Sequence, residues 1–192
     1  MDNNDFFELL KSNDILKKSI KLTKELAEKN NSMPFYNEHF IPCANICYNI
    51  ACLKNTDRID AILIGIFHDV GKFLLTGKFD NHEIIGAKFT ENFLRKNRYE
   101  EQKIQSIKQA IENHRNNANY VFDELSKQII NADIISYIIH KKYFYEYLLE
   151  FCTEEEASQT VYKKILESYE RMDEDGKKLA FNMLIQDFLR MF

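Results

Sequence analysis

Only five glycines and two prolines punctuate 192 residues. A many-stranded sheet needs a breaker at most of its turns, and these are too few to supply them. The chain is therefore expected to be all-α, with about seven to nine helices. Hydrophobic residues make up 45% and charged residues 29%, which is globular rather than disordered composition. The length suits a single domain over residues 1–192 with its own hydrophobic core.

Apolar spacing places the helices. A first spans Asp14 to Lys29, with Ile15, Ile20, Leu22 and Leu26 as apolar positions, and NNSMPFYNE reads as a polar connection. A second starts near His39, carries Pro42 in its first turn, and reaches about Leu53. Asp57 caps a third, with Asp60 three residues on in a box-like arrangement; apolar nearly all round from Ala61 to Phe67, it is expected at the centre. A fourth follows the pair DN at 80–81 with the stripe Ile85, Phe89, Phe93, and Gly86 admits a close neighbour. A fifth runs from about Tyr99 to His114 along Ile104, Ile107 and Ile111. A long sixth pattern extends from about Phe122 to Phe151, its inner side marked by Leu125, Ile129, Ala132 and Ser136. Thr153 with Glu156 forms a capping box for a seventh. DEDG at 173–176 reads as a turn before a last helix with Leu179, Met183 and Phe188. The DxDG fragment lacks the bidentate Glu of a calcium loop at the expected distance.

A net charge of −4 does not suit a duplex nucleic-acid binder, although a small anionic substrate remains compatible with a locally positive site. No apolar stretch approaches the roughly 20 residues that span a bilayer. The acidic opening MDNNDFFELLKSND does not read as a secretory signal. Cysteines stand at 43, 47, 52 and 152 without a CxxC pair, so reduced thiols and a cytoplasmic location are expected. Cys43 and Cys47 share a helical face and read as small buried hydrophobes.

Against this background, IGIFHDVGKF at 64–73 raises a problem. His68 and Asp69 follow an apolar run, and a buried charge is costly unless something compensates it. Three further histidines lie on apolar stripes or at helix ends that point inward. His39 is in register with Cys43 and Cys47, His82 stands three residues before Ile85, and His114 three after Ile111. Asp133 follows Ile129 by four residues. One such histidine is ordinarily a satisfied core residue. Four histidines and two aspartates facing one interior are different, because unpaired buried carboxylates are very costly and the lysines and arginines here sit mostly on polar faces. A divalent cation resolves the conflict, and imidazole with carboxylate suits Fe, Mn, Zn, Co or Ni. Neighbours on a regular helix diverge by about 100°, but at a helix end His68 and Asp69 can fan around one ion or a close pair. Asp69 can use both oxygens to bridge two.

The order His39, His68-Asp69, His82, His114, Asp133 resembles the HD-domain superfamily of metal-dependent phosphohydrolases. IFHDVGKF is similar to its "LLHDIGK" text, NHEIIGA to "HE-x-x-GA", and NADIIS to "AD-x-x-S". The likeness covers about Glu38 to Tyr137. It implies a helical bundle in which His39, His68, Asp69 and Asp133 hold one ion. The added His82 and His114 resemble the binuclear branch, with two ions and a bridging Asp69. Iron or manganese is expected, ahead of zinc, cobalt, nickel or magnesium. ENHRNN stands where the cyclic di-GMP subfamily carries a paired histidine and GYP, so that specificity is not expected.

The implied reaction is hydrolysis of a phosphoester or phosphoanhydride bond in a nucleotide or related small phosphorylated substrate, with a metal-activated water. Asp69 and Lys72 are the candidate catalytic residues. Lys72 reaches a phosphate as a point charge, or is simply a solvated lysine at a helix end. Arg115 is a candidate for a second phosphate, beside a polar rim of Asn116, Asn117 and Asn119, and His140 lies outside the ligand set. Two other readings share these residues: a mixed-valent diiron oxygenase, and a nucleotide-sensing module without turnover. The helices from about Thr153 to Phe192 lie outside the likeness and are expected to pack over the bundle or form a homodimer contact.

Overall fold

The computed structural model describes residues 3–75 and 81–189. Among them no strand occurs, and the architecture is all-α. The elements are α1 (Asn3–Ser12), α2 (Asp14–Lys29), α3 (Met33–Phe35), a π-helical turn (Tyr36–Phe40), α4 (Ile41–Lys54), α5 (Arg58–Phe67), α6 (Gly71–Leu74), α7 (His82–Lys96), α8 (Glu101–Asn113), α9 (Glu124–Ile139), α10 (Lys141–Leu148), α11 (Glu154–Arg171) and α12 (Glu174–Leu189).

α5 is the central rod, buried from Asp60 to Phe67 and packed against α2, α4, α7, α8 and α9. Asp57 caps it, accepting from the amides of Ile59 (2.8 Å) and Asp60 (3.1 Å). Asp60 does not close the box: its carboxylate instead takes the Tyr99 hydroxyl at 2.5 Å. Gly65 lets α4 come close, since a Cβ there would lie 2.5 Å from the Ala44 Cα.

Several elements differ from the apolar pattern. α1 precedes the first expected helix. The connection NNSMPFYNE is helical from Met33, with Pro34 in the first turn of α3. Pro42 lacks an N–H and its ring would collide with a carbonyl one turn back in a regular helix. The wider π turn before it accommodates the ring, and the Ile41 amide donates to Tyr36 O. The long sixth pattern breaks at His140 (φ −94, ψ 23) into α9 and α10. Asp173 accepts from the Gly176 amide at 2.8 Å, so DEDG starts α12 rather than forming a separate turn.

Two helices turn a different face inward than the large apolar residues suggest. α2 buries Leu16, Ser19, Thr23 and Ala27, while Ile15, Ile20, Leu22 and Leu26 are half-buried flanks. α7 buries His82, Gly86, Ala87, Thr90 and Leu94, because Gly86 lies against Val70 and Gly71; Ile85, Phe89 and Phe93 are half-buried. Ile104, Ile107 and Ile111 are buried as expected. Asp80 and the Phe188 side chain lie outside the described residues. Cys43 and Cys47 are free and buried in the core. No helix among the described residues is long and apolar enough to cross a membrane.

Candidate metal centre

Each candidate ligand sits at a helix end or special turn, except Asp133. His39 lies in the π-helical turn, and His68 is the C-cap of α5. Asp69 follows in the turn to α6, and His82 is the first residue of α7. His114 is the C-cap of α8, and Asp133 lies midway along α9. Gly71 packs directly on the start of α7; a Cβ there would stand 2.0 Å from His82 O. That close approach fixes where His82 enters the site.

All six converge. His39 Nε2 lies 3.1 Å from Asp133 Oδ1, 3.1 Å from His68 Nε2 and 3.4 Å from Asp69 Oδ2. Asp69 Oδ1 lies 2.9 Å from His82 Nε2 and 3.5 Å from His114 Nε2. The donors form two groups, His39–His68–Asp69 and Asp69–His82–His114, each with ligand atoms within 4.8 Å of one another. Asp69 belongs to both, and the two groups meet different oxygens of its carboxylate.

The outer contacts aim the rings. A carbonyl only accepts, so His68 Nδ1–H donates to Gly65 O (2.9 Å) and His114 Nδ1–H to Ile111 O (2.7 Å). Their Nε2 atoms therefore face the centre, and carry lone pairs when the rings are neutral. Ser136 Oγ touches His39 at Nδ1 (3.3 Å) and at its carbonyl oxygen (3.4 Å).

The electrostatics fit a cation. Burial opposes charge on His39, yet Asp133 and Asp69 raise its pKa above the usual imidazole value. Burial lowers that of His68, in spite of Asp69 and Asp133. Burial alone would raise both carboxyls; Lys72 and His68 hold Asp69, and His39 and His68 hold Asp133, well below the usual range. A protonated His39 Nε2 is then surrounded by three acceptors at 3.1–3.4 Å, and one proton cannot satisfy all three. Among the described residues no hydrogen-bond donor is aligned on the buried Asp69 Oδ1, despite its short distance to His82. Nitrogen and oxygen lone pairs converging in this way suit transition-metal cations.

The centre forms the floor of a cavity of about 690 Å³. Five of the six ligands are at most 5% exposed; Asp133, at 23%, is the one most open to the cavity. Phe35, Tyr137 and Phe144 make one side, with Tyr137 and Phe144 ring centroids 4.3 Å apart. Lys72 is at the rim of the floor with Nζ 2.5 Å from Asp69 Oδ2. Arg115 also lines the cavity, 3.7 Å from Glu83 Oε2. The asparagines after it are ties within the fold: Asn117 Oδ1 accepts from the Asn119 amide, and Asn119 Nδ2 donates to Met172 O. His140 pairs with Glu38 at 3.1 Å, outside the centre.

The opposite wall has no counterpart in the sequence reading. It is α11, which presents Thr160, Lys163, Lys164, Glu167, Ser168 and Arg171 to the cavity. Their spacing was visible as helical periodicity, but only the fold shows which face of α11 meets the centre.

No curated protein sequence matches the chain. Among solved structures it is similar to a predicted HD superfamily hydrolase from an uncultured Thermotogales bacterium, with a TM-score of 0.63 and 17% identity over 97% of this chain and 98% of that one. At that identity the likeness bears on the fold. Residues 36–183 match the HD domain as a family, reaching past Tyr137 through α11 and into α12. With that match over most of its length, and His68-Asp69 at the junction of two converging ligand groups, the chain belongs to the HD-domain family.

Proposed function

We propose that this protein is a metal-dependent phosphohydrolase acting on a phosphoester or phosphoanhydride bond of a nucleotide or related small phosphorylated substrate. The observation that carries the reading is the division of Asp69 between two ligand groups. His39, His68, Asp69 and Asp133 would hold one divalent transition metal, and Asp69, His82 and His114 a second, with iron or manganese preferred. Bound there, such ions supply Lewis acidity toward phosphate oxygens and a water of lowered pKa.

The rest of the reading concerns the chain's own groups. Gly65 O and Ile111 O keep His68 and His114 turned inward. Asp133, open to the cavity, marks where substrate meets the floor. Lys72 offers an ammonium at the edge of that floor for a phosphate oxygen, while Asp69 holds it in place. Arg115 at the rim is a second candidate cation, loosely held by Glu83. The cavity volume falls within the range usual for small-molecule sites, about 300–1,000 Å³.

The test is a screen of phosphomonoesters, phosphodiesters and phosphoanhydrides with metal-reconstituted protein, measuring phosphate release and total metal on the same sample. The expected result is about two transition-metal ions per chain, since six ligands exceed one four-coordinate shell, together with metal-dependent release. Reconstituted protein that retains no metal, or metal-loaded protein that releases no phosphate from any class, would overturn it.

A further inference from the structure

α11 packs on α9 and buries Ala157, Val161 and Ser168. Along the face it turns to the cavity, Thr160, Lys164, Ser168 and Arg171 recur at intervals of four, four and three residues, and beside this stripe Lys163 and Glu167 line the cavity as a mutual ion pair at 3.8 Å. At about 1.5 Å per residue, Lys164 and Arg171 stand roughly 10 Å apart along the axis. The stripe alternates hydroxyl and cation.

Some surface lysines here are partnered one turn away, as Lys21 with Glu25, Lys24 with Glu28 and Lys142 with Glu146, while others, such as Lys18, Lys96 and Lys127, have no ion pair among the described residues. Lys164 differs from these by its place in the cavity wall, with Thr160 and Ser168 four residues to either side. Among the described residues it pairs with no carboxylate; its ammonium instead stands 4.7 Å from the Tyr137 ring centroid. It is exposed at the cavity wall, and partial burial against its neighbours lowers its pKa.

Arg171 is also free of carboxylates among the described residues. Its Nε and Nη2 donate to Asn116 O (3.2 Å) and His114 O (3.0 Å), which fixes the guanidinium beside a candidate metal ligand. Two cations held without counter-ions, on an acidic protein and facing one cavity, form a site for anions.

We propose that the α11 stripe, with Lys164 at its middle and Arg171 at its end, binds phosphate groups that are not cleaved. The substrate then carries two or more linked phosphoryl groups, as in a nucleoside diphosphate or longer, with the scissile one on the floor. This rests on the phosphohydrolase reading for the floor; Lys164 contributes binding and selectivity.

The test compares affinities for adenosine monophosphate and α,β-methylene adenosine diphosphate, which does not hydrolyse, on metal-reconstituted protein by calorimetry. Wild type should prefer the diphosphate by at least about tenfold, the scale of one charged hydrogen bond. Lys164→Ala should remove most of that preference, Lys164→Arg should restore part, and Lys24→Ala, at an exposed lysine of α2 outside the cavity lining, should leave it intact. Equal affinities in wild type, or a preference unchanged by Lys164→Ala, would overturn the proposal. Phosphate release from adenosine diphosphate, measured alongside, separates the two readings. Metal-dependent release without a binding preference leaves the hydrolase and removes the stripe. A Lys164-dependent preference without release from any substrate leaves the stripe and removes the hydrolase.

Discussion

The floor and the α11 wall of the cavity are built on opposite plans. The floor gathers six candidate ligands from five separate places in the chain, all but Asp133 nearly enclosed, and its charges compensate one another at 2.5–3.7 Å. The wall takes six side chains from one helix and, among the described residues, leaves Lys164 and Arg171 without a carboxylate partner. A site that depends on coordination needs convergence and burial, because donors must be held close with water excluded. A site that meets a variable anion needs only reach, charge and access to solvent. Substitutions should therefore act all-or-none on the floor and by degrees on the wall.

The largest effect belongs to Asp69, where both ligand groups meet. Asp69→Ala should remove both ions and reduce kcat/KM by about 10³-fold or more, the several kcal/mol that bound metals contribute. His82→Ala or His114→Ala should leave protein with one ion and a reduced rate. Elemental analysis beside the rate decides it; wild-type metal content in Asp69→Ala would break the contrast at its strongest point.

Lys72 lies on the boundary between the two plans. Its ammonium pairs with Asp69 like a floor residue, yet it is 27% exposed and borders the cavity. If it clamps a substrate phosphate, Lys72→Ala should keep the metals and lose roughly 10- to 150-fold in kcat/KM, from about 1.5–3 kcal/mol for a charged hydrogen bond. Lys72→Arg should recover part of this, since a planar fork is a poor copy of a compact ammonium. An unchanged rate removes Lys72 from the reaction, and a loss of metal reassigns it to holding Asp69.

Gly71 tests the floor without touching a ligand. A Cβ there meets the His82 carbonyl oxygen at 2.0 Å and the Gly86 amide nitrogen at 3.0 Å, both backbone atoms that cannot rotate away. Gly71→Ala should cost about 1–3 kcal/mol of stability as α7 is pushed aside. Ion binding should weaken at the His82–His114 group more than at the His39–Asp133 group. The denaturation midpoint together with metal stoichiometry reads both; loss of both ions alike would mean the two groups are not separately supported.

How much of this could be read from the sequence follows the same division. That six candidate ligands would cluster was legible because a burial argument, inward-facing charged residues in need of compensation, agreed with a family order. The structure brings all six together. The central α5 and its Asp57 cap were legible from an unbroken apolar run with a cap residue. The inner face of α7 was not, because Gly86 lets small residues pack and displaces the phenylalanines to the flank. The break at His140 was hidden because apolar residues continue on both sides of it. The wall was least legible: a stripe of hydroxyls and cations on a charged helix reads as a solvated face until packing on α9 turns it toward the centre.

The smallest effect concerns how the wall is held. α11 begins with a capping box: the Glu156 amide donates to Thr153 Oγ1 at 3.3 Å, and Glu156 Oε2 accepts from the Thr153 amide at 2.9 Å. Its other end is tied by Arg171 to the loop after α8. Thr153→Ala removes one tie and leaves the other, so it should cost about 1 kcal/mol, the usual value of a lost N-cap. The loss should appear as faster amide exchange in the first turns of α11, with protection near Arg171 retained. The pH dependence has a definite sign. The Thr153 amide and hydroxyl hold the Glu156 carboxyl below its usual pKa, so its stabilising contribution is present above the ordinary glutamate range and lost as pH falls through the lowered value. The difference between wild type and Thr153→Ala should therefore narrow on acidification. Metal content should be unchanged at neutral pH, because no floor ligand comes from α11. If Thr153→Ala instead releases metal, the wall is part of the scaffold of the centre, and the division between an all-or-none floor and a graded wall fails.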